Sequence, residues 1–215
     1  MKLAIIPVTP FQQNCSLVVC EETHSAALID PGGEVDRLLE VVAKSGAKLQ
    51  KVLVTHGHVD HCGGAAEVAA RAGVPIEGPH AEDDFLLQNL AAQGRGYGIA
   101  EARNFTPDRW LRGGDTVEIG NIRFDVRHCP GHTPGHVVFV EPKLKVAFVG
   151  DVLFQGSIGR TDFPRGDHAT LIASITQELW PLGDDIQFVP GHGPMSTFGE
   201  ERRSNPFVGD DALGR

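Results

Sequence analysis

Apolar residues along the chain fall into many short runs separated by polar and glycine-bearing turns. Runs that alternate or are rich in Val and Ile, as strands are, lie at 3–6, 16–20, 26–29, 51–54, 74–76, 116–119, 123–127, 137–140, 146–149 and 187–189. A 3.6-residue period of apolar positions predicts helices at 35–44, 64–72, 82–91 and 168–179. Asp167 stands where it would cap the N-terminus of the last of these. The glycine-rich stretch 94–98 predicts a flexible loop, and the polar segment 200–215, with Pro206 and Gly209, predicts a surface tail. The order is strands, helix, strand, helix, strand, helix, a cluster of strands, then helix and strand. Mixed β-sheets with helices on their outer faces fit that order best. No internal repeat or low-complexity linker interrupts it, so 1–215 is expected to be a single domain.

Composition narrows the function classes. The 215 residues suffice for one sizeable core, and 41% hydrophobic with 22% charged residues is ordinary for a soluble globular protein. A formal net charge of −9 argues against nucleic acid as a partner, because phosphate binding needs a basic surface. It also disfavours long-range steering of an anionic substrate, so an anion would be held by local basic groups. The run from Met1 to Pro7 is too short for an export signal, and no apolar stretch approaches a membrane span. A cytoplasmic protein without a membrane partner is expected, with Cys15, Cys20, Cys62 and Cys129 as reduced thiols that serve packing.

The segment Thr55-His56-Gly57-His58-Val59-Asp60-His61 carries the strongest chemical signal. It follows the strand predicted at 51–54. In extended chain, residues i and i+2 share a face, so His56 and His58 can reach one ion. Asp60 and His61 follow at once, and Gly57, Gly63 and Gly64 allow sharp turns into the next helix. Imidazole mixed with carboxylate suits Zn, Fe, Mn or Ni better than Ca or Mg.

The pattern His-x-His-x-Asp-His resembles the signature of the metallo-β-lactamase superfamily. Three further segments resemble its later motifs: Pro130 to His136, the strand end at 146–150 followed by Asp151, and Pro190-Gly191-His192-Gly193-Pro194. The resemblance implies an α/β fold, a four-layer αββα sandwich of two mixed β-sheets flanked by helices. It implies a first metal on His56, His58 and His132, a second on Asp60, His61 and His192, and Asp151 bridging them. Two divalent ions, zinc by default with iron or manganese as options, would then meet two carboxylates and five neutral imidazoles. The positive charge left over would hold a bridging hydroxide as nucleophile, with Asp60 and Asp151 holding it in place. Asp30, in Leu28-Ile29-Asp30-Pro31-Gly32-Gly33, matches a buried position that orients a ligating imidazole, and Thr55 could serve similarly. His136 is expected to support the site, whereas His24, His80, His128 and His168 are expected at the surface or satisfied in the core.

A narrower resemblance concerns the reaction. Asn14-Cys15-Ser16, Gly150-Asp151-Val152-Leu153-Phe154, the run from Gly159 to Asp167, and Glu201-Arg202 with Asn205-Pro206-Phe207 are similar to the short bacterial form of the type II glyoxalases, or hydroxyacylglutathione hydrolases. That implies hydrolysis of a small-molecule thioester, such as S-D-lactoylglutathione or another glutathione conjugate, to a hydroxy acid and a thiol. Thiol pKa values near about 8.5 make thiolate a good leaving group, and no extra acid is placed here to protonate a lactam amine. No counterpart of the C-terminal helical region with which longer glyoxalases hold glutathione is expected after His192. The stretch from Gly159 to Asp167 also resembles persulfide dioxygenases, which use a single iron. The corresponding ligands here would be His56 or His58 with His132 and Asp151. Arg160 and Arg165 are candidates to meet a substrate carboxylate, or to form ion pairs within the protein.

Overall fold

Side-chain alternation along the central strands sets the layering. In β2 (Gln13–Cys20) and β3 (Ser25–Ile29), Leu17, Val19, Ala26 and Leu28 face one core while Val18, Cys20, Ala27 and Ile29 face another. The same split occurs across β8 (Val137–Glu141), where Val137 and Phe139 turn inward and Val138 and Val140 turn to a third core. Strands buried on both faces need partners on both sides, and three apolar cores separate four layers.

The computed structural model describes residues 1–214. One sheet has the order β1 (Lys2–Val8), β2, β3, β4 (Lys48–Leu53), β5 (Ile76–Glu77). It is antiparallel from β1 to β3 and parallel from β3 to β5. The second sheet contains β6 (Thr116–Ile119), β7 (Ile122–His128), β8 and β9 (Val146–Gly150) as an antiparallel run. A separate hairpin of β10 (Leu153–Phe154) and β11 (Ser157–Ile158) follows. Next come β12 (Gln187–Pro190), parallel to β9, and β13 (Ser196–Thr197), antiparallel to β12. Helices α1 (Val35–Ser45) and α3 (Ala65–Ala72) cover the first sheet through Leu38, Val42 and Val68. Helices α6 (His168–Ser174) and α7 (Phe198–Ser204) cover the second through Leu171 and Phe198. This is the αββα sandwich with two mixed sheets. The short α2 (Val59–Cys62), α4 (Asp84–Leu87) and α5 (Leu90–Tyr97) lie in the connections. Among the described residues no helix is long and apolar enough to cross a membrane.

Three local expectations are corrected. The helix expected at 82–91 is broken, because the Asn104 side chain donates to the Gln88 carbonyl and accepts from the Ala91 N–H, replacing helix bonds between α4 and α5. The loop expected at 94–98 is the second half of α5, with Gly94 buried against Ile99 and Ala102. The tail expected from 200 onward runs over the surface with many exposed residues, but it is anchored. Glu201, Asn205 and Val208 are buried, and the Glu201 carboxylate accepts from Gly156 N–H, the Ser196 hydroxyl and the Asn205 amide. Arg215, at its end, lies outside the described residues.

The candidate ligands all follow strand ends. Asp30 follows β3, His56 to His61 follow β4, His132 follows β7, Asp151 follows β9 and His192 follows β12. Backbone bonds lace these loops together: Asp30 N–H to Leu53 O, Val137 N–H to Thr55 O, Gly191 N–H to Gly150 O and Asn14 N–H to Gly191 O.

Candidate metal centre

His56, His58 and His132 converge. His58 Nδ1 stands 3.1 Å from His56 Nε2 and 3.0 Å from His132 Nε2. The surrounding hydrogen bonds assign the protons. Thr55 Oγ1 donates to Asp30 Oδ2 and so accepts from His56 Nδ1 at 3.1 Å, and His132 Nδ1 donates to the Arg160 carbonyl at 2.7 Å. Each leaves its Nε2 lone pair aimed at the common point. Burial pushes the His58 imidazole down to about 3, and it lowers His56 and His132 as well, so all three are in the neutral, ligating form.

Asp60, His61 and His192 form a second group with the opposite electrostatics. Asp60 Oδ2 lies 3.2 Å from His192 Nε2, and His61 Nε2 lies 3.2 Å from Asp151 Oδ1. Burial disfavours charge on His61, but Asp151, Asp30 and Asp60 outweigh it and hold the imidazole well above its ordinary value. His192 is raised too, where burial is outweighed by its bond to Asp60 and by Asp151. Burial opposes ionisation of Asp151, yet His61, His132 and His192 hold its carboxyl far below the usual range. Carboxylates that draw a proton onto buried imidazoles draw a cation equally well.

Asp151 faces both groups, with Oδ2 at 3.6 Å from His132 Nε2 and 3.7 Å from His192 Nε2. Asp30 accepts from Thr55 N–H at 2.7 Å, from the Thr55 hydroxyl at 2.6 Å and from His61 Nδ1 at 2.9 Å. In the neutral form that a cation in place of the second proton would leave, that bond makes His61 Nε2 an acceptor pointing into the centre. Asp30 itself has φ of +52°, a left-handed conformation that Asp tolerates better than most residues. His136 is wholly buried, stacked on His56 at 4.5 Å, and accepts the Asp151 N–H at Nε2.

The donor set fits metal ions. A tetrahedral ion with bonds of about 2.0–2.1 Å holds its ligand atoms roughly 3.3 Å apart. The ligand atoms in each group lie within 4.8 Å of one another, and the shortest separations are 3.0–3.2 Å. His61 Nε2 and Asp151 Oδ1 are buried, face each other at 3.2 Å and have no other partner; with His61 neutral they are two opposed acceptors, a costly state that a cation between them would relieve. Gly191 is packed against the same spot. A Cβ there would stand 2.1 Å from Asp151 Oδ1, so only glycine lets the β12 loop approach.

The two arginines are engaged locally. Arg160 forks onto Asp162 at 3.0 and 2.8 Å and lies over the Phe163 ring, while Arg165 donates to the Glu82 carbonyl and lies over Phe85. His80 and His128 stack at 4.4 Å beside Glu82, but His128 Nε2 is directed to the Pro134 carbonyl. Contributions that sequence reasoning missed come from Asn14, Phe163 and Asp83. The Asn14 amide donates to Pro190 O and Gly193 O and braces the His192 loop. Phe163 sets its ring edge-on to His58 and His132 at 4.8 and 5.7 Å. Asp83 accepts from Gly57 N–H, Thr133 Oγ1 and Gly135 N–H.

The family model for the Metallo-beta-lactamase superfamily matches residues 8–192. The chain is 50% identical over 209 residues to hydroxyacylglutathione hydrolase GloC of Haemophilus influenzae, covering 97% of this chain and 98% of that protein. Among solved structures, the BLEG-1 B3 metallo-beta-lactamase superposes with a TM-score of 0.88 at 34% identity, covering 96% of this chain and 99% of that one. TTHA1623 in a di-iron-bound form superposes with a TM-score of 0.86 at 37% identity, covering 95% and 100%.

Proposed function

The chain belongs to the metallo-beta-lactamase superfamily, and from that premise we propose that it hydrolyses a small-molecule thioester, of the S-D-lactoylglutathione type, at a two-metal centre. One observation carries this: His56, His58 and His132 on one side, and Asp60, His61 and His192 on the other, meet at the shared carboxylate of Asp151. Those residues would hold two divalent ions, zinc, iron or manganese. Such ions, when bound, supply a Lewis acid for a carbonyl oxygen and a water that ionises near neutral pH.

The protein's own groups do the rest. Asp60 Oδ2 and Asp151 Oδ2 both border His192 Nε2, so they form an acceptor pair able to orient an attacking water and take its hydrogen bond. Asp30 and the Arg160 carbonyl fix the Nδ1–H tautomers of neutral His61 and His132, so that neither of these two rings then turns a proton toward the reacting oxygen. Phe163 walls the His58–His132 side and keeps bulk water off it. A departing thiolate needs no protonation by a side chain, which matches the lack of a further acid beside the centre. Arg160, on Phe163 at this rim, is the candidate contact for a substrate carboxylate, which would displace Asp162. Arg165 is assigned instead to holding the turn at Glu82.

The alternative of a single-iron persulfide dioxygenase would use one histidine pair and Asp151. The di-iron form of TTHA1623 favours iron as a metal for this fold. The single-iron chemistry leaves Asp60, His61 and His192 without use, although His61 is completely buried and aimed at Asp151. The deciding experiment is elemental analysis of the purified protein combined with thiol release from S-D-lactoylglutathione. Two metals per chain and thiol release are expected, and Asp60→Asn should lower turnover by about 100-fold or more. One iron per chain, with oxygen uptake on glutathione persulfide and no thiol release, would overturn the proposal.

A further inference from the structure

We propose that Asp83 is a positioning residue of the first metal group, its carboxylate setting the distance between the His56–His58 loop and the His132 loop. The inference rests on the reading of His56, His58 and His132 as a cation site.

Asp83 lies in the 3-10 turn Ala81–Asp83, outside every segment that carries a candidate ligand. Its Oδ2 accepts from Gly57 N–H at 2.9 Å and from Thr133 Oγ1 at 2.8 Å, and its Oδ1 accepts from Gly135 N–H at 2.6 Å. Gly57 is the residue between His56 and His58, and Thr133 directly follows His132. One rigid, planar group therefore spans both loops. A backbone bond from His80 N–H to Gly135 O, 3.0 Å, presses the same turn onto the second loop. The approach is possible because Gly135 has no side chain; a Cβ there would stand 2.6 Å from Asp83 Cγ.

The charge makes a purely scaffolding role a costly choice. Asp83 is completely buried, and among the described residues no lysine or arginine pairs with it. Burial pushes its carboxyl up to about 6, against the pull of its three donors. What an ionised carboxylate supplies that a neutral side chain of the same size does not is acceptance on both oxygens at once. Asparagine has one acceptor oxygen: turned toward Gly57 and Thr133 it loses Gly135 and loosens the second loop from the turn, and turned toward Gly135 it sets its NH2 against the Gly57 N–H and loosens the first. Ligand positions tolerate little such movement, because coordination distances are held to about 0.2 Å. His58 Nδ1 meets a partner from each side of this seam at 3.0–3.1 Å, so a loop shift of a few tenths of an ångström is felt there first.

The test uses metal-free full-length protein titrated with Co(II), in a His192→Ala background that leaves only the first group complete. Affinity and the visible absorption bands of bound Co(II) are both read. Asp83→Asn is expected to weaken Co(II) binding by about 10–100-fold and to shift the bands, as loss of a ligand-supporting group does. Thr133→Val, which removes a single bond from the latch, should move both readouts the same way by less. Unchanged affinity and unchanged bands in Asp83→Asn, with only a lowered melting temperature, would show a merely structural role and overturn the inference. Should Asp83→Asn fail to fold, Thr133→Val decides on the same two readouts. A parent protein that binds no Co(II) would instead sink the metal reading itself, and this inference with it.

Discussion

Asp30 concentrates three donors on one buried carboxylate while its backbone sits at φ +52°. Backbone and charge can be separated by mutation. Asp30→Asn keeps a residue that tolerates the left-handed region but removes one acceptor oxygen and weakens the hydrogen bond that, after Asp151, helps to raise His61. Its expected effect is a 10–100-fold loss of metal affinity with modest destabilisation. Asp30→Ala leaves the Thr55 donors and His61 Nδ1 without an acceptor and should cost a further 1–3 kcal/mol or so in denaturant unfolding. Equal metal affinity in Asp30→Asn and the parent would contradict the tautomer argument. Asp83 gives a pH signature. Its folded carboxyl is raised from 3.8 to about 6, so the folded chain holds a proton that the unfolded chain has lost, and stability falls as pH rises through that window. Relative to Asp83→Asn, the chelated parent should lose on the order of 3 kcal/mol between pH 4 and 7. A difference between the two proteins that stays flat across that range would show that Asp83 is not raised. The candidate ligands stand out in the sequence because each sits in a short word near glycine or proline after an apolar run. Asp83 does not, since it acts on the backbone of distant segments and leaves no periodic or spaced signature, and Asn14 is visible only as part of the Asn14-Cys15-Ser16 word, without its bracing role.

At the level of elements, polarity misled where polar groups serve to satisfy backbone. The stretch beginning at Glu200 looks like solvent-facing chain, yet Glu201 is the acceptor that ties α7 to the β10–β11 hairpin through Gly156 N–H. Asn205 then donates to Ser157 O on the hairpin and to Glu201 itself. Glu201→Ala takes the acceptor from the buried Asn205 amide and from the part-buried Gly156 and Ser196 donors, with an expected cost of about 1–3 kcal/mol, measurable as a lower denaturant midpoint with an unchanged slope. A surface tail would tolerate the same change without effect. Asp167 shows the reverse, a polar signal that sequence and structure place identically. It caps α6 by accepting from Thr170 N–H at 2.7 Å, and its own N–H donates to Gly131 O beside the His132 loop. Asp167→Ala should cost about 1 kcal/mol, seen as a melting temperature roughly 2–4 °C lower. The cap was legible because Asp before an apolar helical period is a local signal. The break between α4 and α5 was not, because Asn104 reaches it from well outside the helix window.

Across the whole molecule, the centre joins two sheets that also meet through apolar packing and through bonds such as Asn14 N–H to Gly191 O and Val137 N–H to Thr55 O. His56, His58, Asp60 and His61 leave the end of β4 in the first sheet, while His132, Asp151 and His192 leave the ends of β7, β9 and β12 in the second. Mixed sheets with helices on their outer faces could be anticipated from element order, whereas the four layers were implied by the family resemblance. The pairing order of the strands and the register shifts in β3–β4 and β9–β12 depend on contacts that no single segment encodes. Cations bound across this seam stabilise only the folded chain, because unfolding scatters the ligands. At a free metal concentration 1,000 times the Kd, one site contributes about 4 kcal/mol, which for a chain of this length is a rise in melting temperature of roughly 8–16 °C. Calorimetry before and after chelation should show a loss of at least that size, restored by adding back zinc, iron or manganese. His192→Ala, which leaves the first group complete, should retain part of the shift. Indistinguishable melting temperatures for the metal-loaded and chelated protein would mean that no cation bridges the two sheets.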